Sequence, residues 1–403
     1  MALMPVADAL AKVLVQATPL PAEQAPLTEA HNRVLAEDLK ARRTHPPGDV
    51  SAMDGYAVRA EDAATIPAVL KVIGEITAGH DFAGRVNKGE AARIFTGAII
   101  PPGADSVVVQ ENVERDGDRI TVKSSAPPGK HVRRGGLDFT AGAVLLQKGR
   151  RLTGRDLMLA AAMNLPLIPV HRRPKLAMLA TGDELVLPGS EPGPSQIVYS
   201  NGYAVMALAA SEGADVTDLG IVPDRVEETI AAIRHARVIG TDILVISGGA
   251  SVGDYDLVHQ ALAAEGMSSS FWKVALRPGR PLMHGRLGDM QVLGLPGNPV
   301  SAYVCGLLFI VPLVRKLSGR TDLELPIESA RLGSDLPAND ERTDYLRATH
   351  EIGPDGVPVA TPFPVQDSSL MAALAKADCL VVREPYAPAA RAGEPCRIVR
   401  LPL

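Results

Sequence analysis

"KLAMLATGDEL", residues 175–185, is the stretch that decides the fold of this 403-residue chain. Its apolar residues run without interruption and then give way to Thr181-Gly182 and two acids, which is typical of a strand buried on both faces that ends in a loop. The same pattern recurs in TDILVISGG (241–249) and QVLGLPG (291–297), and ADVTDLGIV (214–222) is predicted as a further strand. Helical segments separate these strands, so we predict a doubly wound α/β core with a parallel sheet over residues 170–320.

The residues on either side of this core have a different composition. Short β-rich runs divided by Gly, Pro and Asp-Gly turns predict a mostly β domain at 44–140, inserted before the core. Helical patterns at 5–16 and 151–165, the second opened by Thr153 as N-cap, assign 1–43 with 141–169 to an N-terminal or linker domain. The β-rich stretch 321–403 predicts a small C-terminal β-barrel-like domain.

Composition excludes several classes of protein. The net charge is −5 and only 3% of residues are aromatic, which argues against a nucleic-acid-binding surface. The three cysteines form no C-x-x-C pair, which excludes a disulfide framework and a thiolate zinc site. The start of the chain lacks the pattern of a signal peptide, and the apolar stretch 306–314 is too short to span a membrane. We therefore expect a cytoplasmic protein.

Ligands of open α/β sheets bind beyond the carboxyl ends of parallel strands. The predicted strands are followed by glycines, hydroxyls or acids, namely Thr181-Gly-Asp-Glu184, Pro223-Asp224, the loop Ser247-Gly-Gly-Ala-Ser-Val-Gly-Asp-Tyr-Asp256, and Pro296-Gly-Asn-Pro299. In the glycine-rich loop, backbone N–H groups at the start of a helix could approach a phosphate. A tight turn without a ligand is an equally common use of such a loop.

The same loop contains Gly249-Ala-Ser251-Val-Gly253, which matches the nucleophile elbow of serine hydrolases. His259 or His284 would then serve as the base. However, Asp254 and Asp256 crowd the loop and no HGGG-type glycine cluster precedes it. A hydrolase is therefore a weaker hypothesis than an anion-binding loop.

Basic and acidic side chains recur beside chain breakers. Lys273, Arg277 and Arg280 surround a Pro-Gly turn in FWKVALRPGRP (271–281), where they could bind an oxyanion or simply be solvated surface charges. The acids in such positions are Asp54, Asp138, Glu184, Asp224 and Asp256. Each alone is typical of a turn or a helix cap, whereas together with phosphate-type loops they indicate Mg²⁺, which prefers oxygen ligands.

Seven motifs in order carry a family resemblance: SAMDGYAV (51–58), RIFTGAIIPPGADSVV (93–108), TGDEL (181–185), SNGY (200–203), SGGASVGDYD (247–256), FWKVALRPGRP (271–281) and GLPGNPVSA (294–302). They closely resemble the molybdopterin molybdenumtransferase (MoeA) family, to which the gephyrin E domain belongs. The resemblance implies a molybdopterin-binding-like α/β core in an elongated, four-domain subunit. It also implies a homodimer whose active site lies between the α/β domain of one subunit and the β domain of the other.

The activity implied by the resemblance is the insertion of molybdate into adenylylated molybdopterin, which yields molybdenum cofactor, releases AMP and requires Mg²⁺. The implied catalytic positions are Asp54, Thr96, Asp138, Glu184 and Lys273. Substrate- or molybdate-binding positions are expected at Ser247, Gly248, Gly249, Ser251, Gly253, Arg277, Pro296, Pro299 and Ser368, and magnesium ligands at Asp224 and Asp256. The chain departs from the family pattern at Arg277 and Arg280, where several members carry lysine.

The charges of these residues indicate which of them bind molybdate and which bind magnesium. Molybdate is a dianion, so Lys273, Arg277, Ser368 and backbone N–H groups are expected to bind it, while the acids hold magnesium or order the site. A stiff loop at Asp54 is expected because that carboxylate would face a ligand on the partner subunit. A molybdopterin adenylyltransferase and molybdoenzyme maturation proteins are possible partners, and neither nucleic acid nor a membrane is expected. A non-catalytic scaffold like the gephyrin E domain is the alternative of another class.

Overall fold

The computed structural model describes residues 3–248 and 257–402 of the chain. Strands and helices are numbered along the chain. The first helix, α1 (Val6–Val15), buries Ala9 and Val13 against the long core helix of the α/β unit. The predicted segment 1–43 is therefore divided between two units. The apolar face of α1 packs on the α/β unit, whereas β1 and β2 belong to the N-terminal unit.

The N-terminal unit is built from two distant segments that pair with each other. Strand β1 pairs with β12 and β2 with β11, both antiparallel, around a core that includes Leu35, Leu152 and Ile168. Thr153 caps helix α2 as the sequence predicts, and its Oγ donates to Asp156 Oδ2 at 2.8 Å. The elements are β1 (Ala22–Pro26), a 3₁₀ turn (Leu27–Glu29), β2 (Leu39–Lys40), β11 (Val144–Leu146), α2 (Gly154–Ala162) and β12 (Leu167–His171).

The β unit lies between the two halves of the N-terminal unit. Its main sheet has the order β7-β4-β6-β5-β9-β8, and β3 pairs with β10 where the chain enters and leaves the unit. Its strands are β3 (Val50–Ser51), β4 (Gly55–Val58), β5 (Ala68–Ile76), β6 (Glu90–Ile94), β7 (Ser106–Val109), β8 (Val113–Asp116), β9 (Arg119–Val122) and β10 (Val132–Arg133), with 3₁₀ turns at Ala60–Ala63 and Gln110–Asn112.

The α/β unit contains the predicted parallel strands. Its six-stranded sheet has the order β16-β13-β17-β21-β20-β18, and the first four strands are parallel. Its elements are β13 (Lys175–Thr181), β14 (Leu185–Val186), β15 (Ile197–Val198), α3 (Asn201–Ser211), β16 (Asp215–Val222), α4 (Val226–Val238), β17 (Ile243–Ser247), α5 (Leu257–Ala264), β18 (Ser268–Phe271), β20 (Met283–Leu287) and β21 (Met290–Leu295).

The sheet is mixed and not wholly parallel. Strand β20 forms a tight hairpin with β21 and is antiparallel to both of its neighbours. Strand β18 ends at Phe271, after which the chain leaves the sheet. Because β18 is antiparallel to β20 and β20 is antiparallel to β21, β18 runs in the same direction as the four parallel strands. The end of β18 therefore lies at the same sheet edge as their ends.

One long helix closes the α/β unit. It runs through α6 (Pro299–Cys305), a π-helical segment (Gly306–Ile310) and α7 (Val311–Leu317). Within the described residues it is the one helix long and apolar enough to cross a membrane, and 83% of that window is buried inside the protein. Its side chains form the centre of the largest core, where α1 and C-terminal residues such as Tyr345 also pack.

The C-terminal unit is a closed five-stranded barrel. Strands β23, β24, β22, β26 and β25 follow one another, and β25 pairs back to β23. The short strand β19 crosses from the α/β unit and adds to β23, so the boundary at 321 leaves one barrel-associated segment upstream. The elements are β19 (Leu276–Arg277), β22 (Ile327–Leu332), β23 (Thr343–Ile352), β24 (Pro358–Pro362), α8 (Met371–Ala375), β25 (Cys379–Arg383) and β26 (Pro395–Arg400).

Candidate active site

Asp54 is held firmly although it is exposed. The backbone N–H and the hydroxyl of Thr96 both donate to Asp54 Oδ1 at 2.8 Å, and the backbone N–H of Gln110 donates to the Asp54 carbonyl at 3.2 Å. The hydrogen bonds from Thr96 hold the pKa of Asp54 below its usual value. Within the described residues no donor reaches Oδ2, so an ionised oxygen faces outward from a fixed loop.

The sequence around Asp54 explains this rigidity. Ser51 Oγ donates to the Met53 carbonyl at 2.6 Å, which closes a local turn before Asp54. Gly55 follows because a Cβ at this position would lie 2.0 Å from the Val108 carbonyl oxygen of the neighbouring strand. Any other residue would push β4 away from β7, and the Asp54 loop would move with it.

Asp138 borders a cavity near this loop. The cavity has a volume of about 480 Å³ and is lined by residues that include Val50, Gly97, Leu137 and Asp138. Gly97 directly follows Thr96 in the chain, so the cavity that Asp138 borders begins next to the residue that binds Asp54. The backbone N–H of Asp138 donates to the His45 carbonyl at 3.2 Å, at the crossing of the two connecting segments.

At the strand edge of the α/β unit, acids gather after β13 and β16. The backbone N–H of Asp224 donates to Asp183 Oδ1 at 3.2 Å. Burial raises the pKa of Asp224, and the nearby carboxylates of Glu184 and Asp183 raise it further. Glu184 itself folds back over Gly182. These three acids therefore repel one another, which is the electrostatic situation that a bound cation would relieve.

The glycine-rich loop after β17 is described only at its start. Gly248 has φ of +98°, and a Cβ there would lie 2.2 Å from the Thr181 carbonyl oxygen, so the close approach of two strand ends requires glycine. Ser247 Oγ accepts from the side-chain amide of Asn201 at 3.2 Å. The other predicted positions in the loop lie outside the described residues, namely Gly249, Ser251, Gly253 and Asp256.

Hydrogen bonds join the loop after β21 to the C-terminal unit. Asn298 Nδ2 donates to Ser368 Oγ at 2.9 Å, and the backbone N–H of Val300 donates to the Ser368 carbonyl at 3.0 Å. Pro296 is buried and Pro299 begins α6, so the two prolines confine the loop between them. Asn201 Nδ2 also donates to the Gly297 carbonyl at 2.7 Å, which ties this loop to Ser247.

The sequence-based prediction does not include three residues of this network, which are Asn201, Asn298 and Arg347. Asn201 and Asn298 stand inside quoted motifs, but only the structure reveals that their amides cross-link loops. Arg347 lies in β23 and is 1% exposed, and it has no motif around it. Its Nη1 donates to the Leu370 carbonyl at 3.1 Å, whereas its buried Nη2 has no partner in the described residues. A buried cation with an unpaired donor beside the Ser368 segment is suited to an anion.

Lys273 and Arg277 differ in availability. Lys273 is exposed just beyond β18, and no acid within the described residues forms an ion pair with it. Arg277 is already engaged: its Nε donates to Asp344 Oδ1 at 2.6 Å, its Nη2 also contacts the Asp344 carboxylate, and its Nη1 reaches Asp340 Oδ2 at 3.0 Å. A small oxyanion at Arg277 would compete with two carboxylates, whereas Lys273 has no such competitor in the described part of the chain.

The predicted site residues thus fall into two groups. The β-unit half-site contains Asp54, Thr96 and Asp138, and the strand-edge half-site contains Glu184, Asp224, Ser247, Gly248, Lys273, Pro296, Pro299 and Ser368. Among the residues that the structure describes, no hydrogen bond or ion pair connects the two groups within one subunit. Also in those residues, no three histidine, cysteine or acidic side chains are close enough to hold a metal ion.

The surroundings of the candidate base His284 argue against the serine hydrolase hypothesis. His284 is fully buried in β20, its Nε2 pairs with Gln291 Oε1 at 3.0 Å, and burial lowers its pKa. The His259 ring packs edge-on against Trp272 at 4.7 Å. A buried His284 whose Nε2 is already paired with Gln291 is unsuited to act as a general base, and Ser251 itself lies outside the described residues.

Comparisons with known proteins agree with the fold and with the family resemblance. Three family models match consecutive parts of the chain: the MoeA N-terminal region, domains I and II (residues 4–164), a probable molybdopterin binding domain (177–316), and the MoeA C-terminal region, domain IV (329–401). A molybdopterin molybdenumtransferase from Haemophilus influenzae is 36% identical over 93% of both chains. One from Nostoc is 38% identical over 79% of this chain and 75% of its own.

Solved structures show the same architecture. Two structures of a molybdopterin biosynthesis MoeA protein from Pyrococcus horikoshii match with TM-scores of 0.85 and 0.82 at 32% and 28% identity. They cover 99% of this chain and 99% and 100% of their own chains. The fold and the strand-edge site define a multidomain α/β enzyme with a C-terminal barrel. The chain belongs to the MoeA family of molybdopterin molybdenumtransferases, enzymes of molybdenum cofactor biosynthesis.

Proposed function

We propose that this protein inserts molybdate into adenylylated molybdopterin, with release of AMP and a requirement for Mg²⁺. The observation that carries the proposal is the cross-linked strand edge at which Asn201, Asn298 and Ser368 bring the α/β unit and the barrel together. This edge offers polar donors and nearby cations for an anion, and separate acids for a metal. Family membership supplies the reaction, since relatives that are 30–38% identical carry the name molybdopterin molybdenumtransferase.

Molybdate would bind where the loop after β21 meets the Ser368 segment. Ser368 is half-buried, its hydroxyl is already oriented by Asn298, and the unpaired Nη2 of Arg347 lies in the same part of the barrel. Lys273 adds a charge from the end of β18. The motif assigns Arg277 a contact with molybdate. Its guanidinium group would then have to bind both molybdate and the Asp344 carboxylate. The dithiolene sulfurs that receive molybdenum belong to the pterin substrate, so no cysteine of this chain is needed.

Mg²⁺ would be held by Asp224 and Asp256, with Glu184 ordering the acids. The described part of the donor set fits in its chemistry, because burial and then the nearby carboxylates of Glu184 and Asp183 raise the pKa of Asp224. When bound, the ion would supply positive charge at the adenylate phosphate. The residues of this chain would hold the phosphate end at the strand edge and keep the molybdate site apart from the acids.

A homodimer with a shared active site would unite the two half-sites. Asp54, Thr96 and Asp138 are exposed on the β unit, yet no hydrogen bond of the described residues links them to the strand edge of their own subunit. A second copy could bring its β unit to that edge, and a fixed carboxylate is what such an arrangement needs. We place this reaction in the cytoplasm, with molybdopterin adenylyltransferase and molybdoenzyme maturation proteins as possible partners.

The decisive experiment is AMP release from adenylylated molybdopterin by the purified protein. Release should require both molybdate and Mg²⁺, and the variant Ser368→Ala should need more molybdate. Ser369→Ala is the matched control, because Ser369 Oγ bonds to Asp367 at 2.6 Å and not to the Asn298 loop. Absence of AMP release from a folded protein with all three components would reject the proposal and favour a non-catalytic scaffold.

A further inference from the structure

Arg93 lies against the Asp54 loop and has no role in the half-sites described above. We propose that Arg93 is a positioning residue that fixes the Asp54 loop through the main chain of residues 54 and 55. This inference rests on the proposed function, since Asp54 matters for turnover only if that reaction uses the β-unit half-site.

The hydrogen bonds of Arg93 converge on Asp54 from two directions. Its Nη1 donates to the Gly55 carbonyl at 3.1 Å, and its Nη2 donates to Gln110 Oε1 at 2.6 Å. Gln110 in turn donates its backbone N–H to the Asp54 carbonyl at 3.2 Å. One guanidinium therefore holds Gly55 directly and Asp54 through Gln110, while Thr96 holds the carboxylate itself.

Two aromatic rings keep the guanidinium in place. Its central carbon lies 5.2 Å from the Tyr56 ring centroid and 4.8 Å from the Phe95 ring centroid. Tyr56 and Arg93 are direct partners in the β4–β6 register. Contacts of this kind favour a planar cation, and the fork reaches two acceptors at once, so lysine could reproduce the charge but not the full geometry.

The charges around Asp54 support the same role. The charged side chain that acts on Asp54 is Arg93 in β6. The neighbouring acid Glu111, in the 3₁₀ turn, accepts from Gln110 Nε2 at 3.4 Å. The Arg93 charge adds to the hydrogen bonds from Thr96 in lowering the pKa of Asp54. Arg93 thus favours both the position and the ionised form of the carboxylate.

A double-mutant cycle separates positioning from simple structural support. The variants are Arg93→Gln, Arg93→Lys, Asp54→Asn and the Arg93→Gln/Asp54→Asn pair, and the measurement is AMP release against molybdate concentration. Arg93→Gln should lower kcat about tenfold with little change in the molybdate KM, and Arg93→Lys should recover part of the loss. In the Asp54→Asn background the same Arg93 change should cost almost nothing further.

Arg115→Gln is the matched control, because Arg115 Nε donates to the Gly117 carbonyl at 3.1 Å on the opposite edge of the same sheet. It should leave kcat unchanged. An equal loss from Arg93→Gln with and without Asp54 would overturn the proposal, since it would mean that Arg93 does not act through Asp54. Wild-type kcat in Arg93→Gln would overturn it as well.

A second readout does not depend on activity. In the full chain labelled with ¹³C at aspartate carboxyls, the Asp54 signal is the one that Asp54→Asn removes. Its pKa should rise in Arg93→Gln and stay low in Arg93→Lys, and an unchanged pKa in Arg93→Gln would overturn the inference. If the wild-type protein released no AMP, the proposed function would fail while this titration would still decide the role of Arg93.

Discussion

Asp54 in the β unit and Asp224 in the α/β unit are both exposed carboxylates beside chain breakers, yet their surroundings shift their pKa values in opposite directions. Asp54 receives two hydrogen bonds from Thr96, which favour the ionised form. Asp224 is partly desolvated near two other acids, which disfavours that form. The β-unit half-site therefore favours its ionised carboxylate without a partner, whereas an added positive charge would stabilise the acids of the strand-edge half-site.

The largest expected effect comes from the preorganised carboxylate. Asp54→Asn keeps the size of the side chain and an acceptor for Thr96 but removes the charge that would face the ligand. We expect kcat for AMP release to fall about a hundredfold, the effect of losing charge-assisted hydrogen bonds at a fixed position. Additional Mg²⁺ should restore nothing. Recovery at high Mg²⁺ would place Asp54 among the metal ligands and remove the contrast between the two half-sites.

A smaller but substantial effect is expected at Lys273. This residue is exposed at the end of β18, and we have proposed that it binds molybdate. Lys273→Ala should raise the molybdate concentration needed for half-maximal AMP release by roughly ten- to a hundredfold. Lys273→Arg should restore part of the loss and Lys273→Gln very little. Arg280→Ala, from the same basic stretch, is the control. A collapse of pterin affinity with unchanged molybdate dependence would assign Lys273 to the substrate phosphate.

Asp224→Asn tests the repulsion at the strand edge. Because the pKa of Asp224 is raised in the folded state, the native protein holds a proton more tightly there than the unfolded chain does, so this carboxyl lowers stability as pH rises above its unfolded pKa. Removing the charge should leave the unfolding temperature at pH 7 unchanged or about 1 °C higher.

The same variant should require about ten times more Mg²⁺ for AMP release. Wild-type affinity for Mg²⁺ should also fall as the pH is lowered through the raised pKa of Asp224, since its carboxylate must be deprotonated to bind the ion. Asp218→Asn is a control, because Asp218 is an exposed acid within β16 and not at its end. Normal turnover of Asp224→Asn across a magnesium titration would contradict the assignment of Asp224.

The smallest effect is expected from Thr96→Val, which removes one of the two donors to Asp54 while leaving the backbone N–H in place. A single hydrogen bond to an ionised group should be worth roughly a three- to tenfold change in kcat. The pKa of Asp54 should rise toward its usual value, as ¹³C titration of its carboxyl would detect. A loss as large as that of Asp54→Asn would mean that Thr96 contacts the substrate directly.

Local patterns in the sequence predicted most of the α/β unit. Uninterrupted apolar runs identified β13, β17 and β21, and β16, an exposed edge strand, was identified by its place between two helical patterns. Parallel strands necessarily bring their carboxyl ends to one edge. The relation of Glu184, Asp224 and Ser247 follows from that rule alone. The closed barrel is consistent with the β-rich C-terminal composition.

Long-range packing decided most of what the prediction missed. The antiparallel hairpin of β20 with β21 is the exception, because its two-residue turn is Gly288-Asp289, a local hairpin signal. Helix α1 packs on the α/β unit because its partners are the helical segments Gly306–Ile310 and Val311–Leu317, which lie far along the chain. Arg347 stands among apolar strand residues and becomes notable only because barrel closure buries it next to Gln366 and Leu370. Arg93 likewise looks like an ordinary strand arginine until Tyr56 and Phe95 enclose it.

The central claim is that the two half-sites serve one reaction from different subunits, and mixing two inactive variants tests it most directly. Asp54→Asn subunits and Asp224→Lys subunits, in which a cation replaces the proposed Mg²⁺ ligand, unfolded and refolded together at equal amounts, should form mixed dimers in which one of two clefts is intact. Random pairing then predicts recovery of about a quarter of the wild-type rate of AMP release, with neither parent alone approaching it. Mixed dimers that form but remain as inactive as their parents would show that both half-sites must come from one subunit, and would contradict the account.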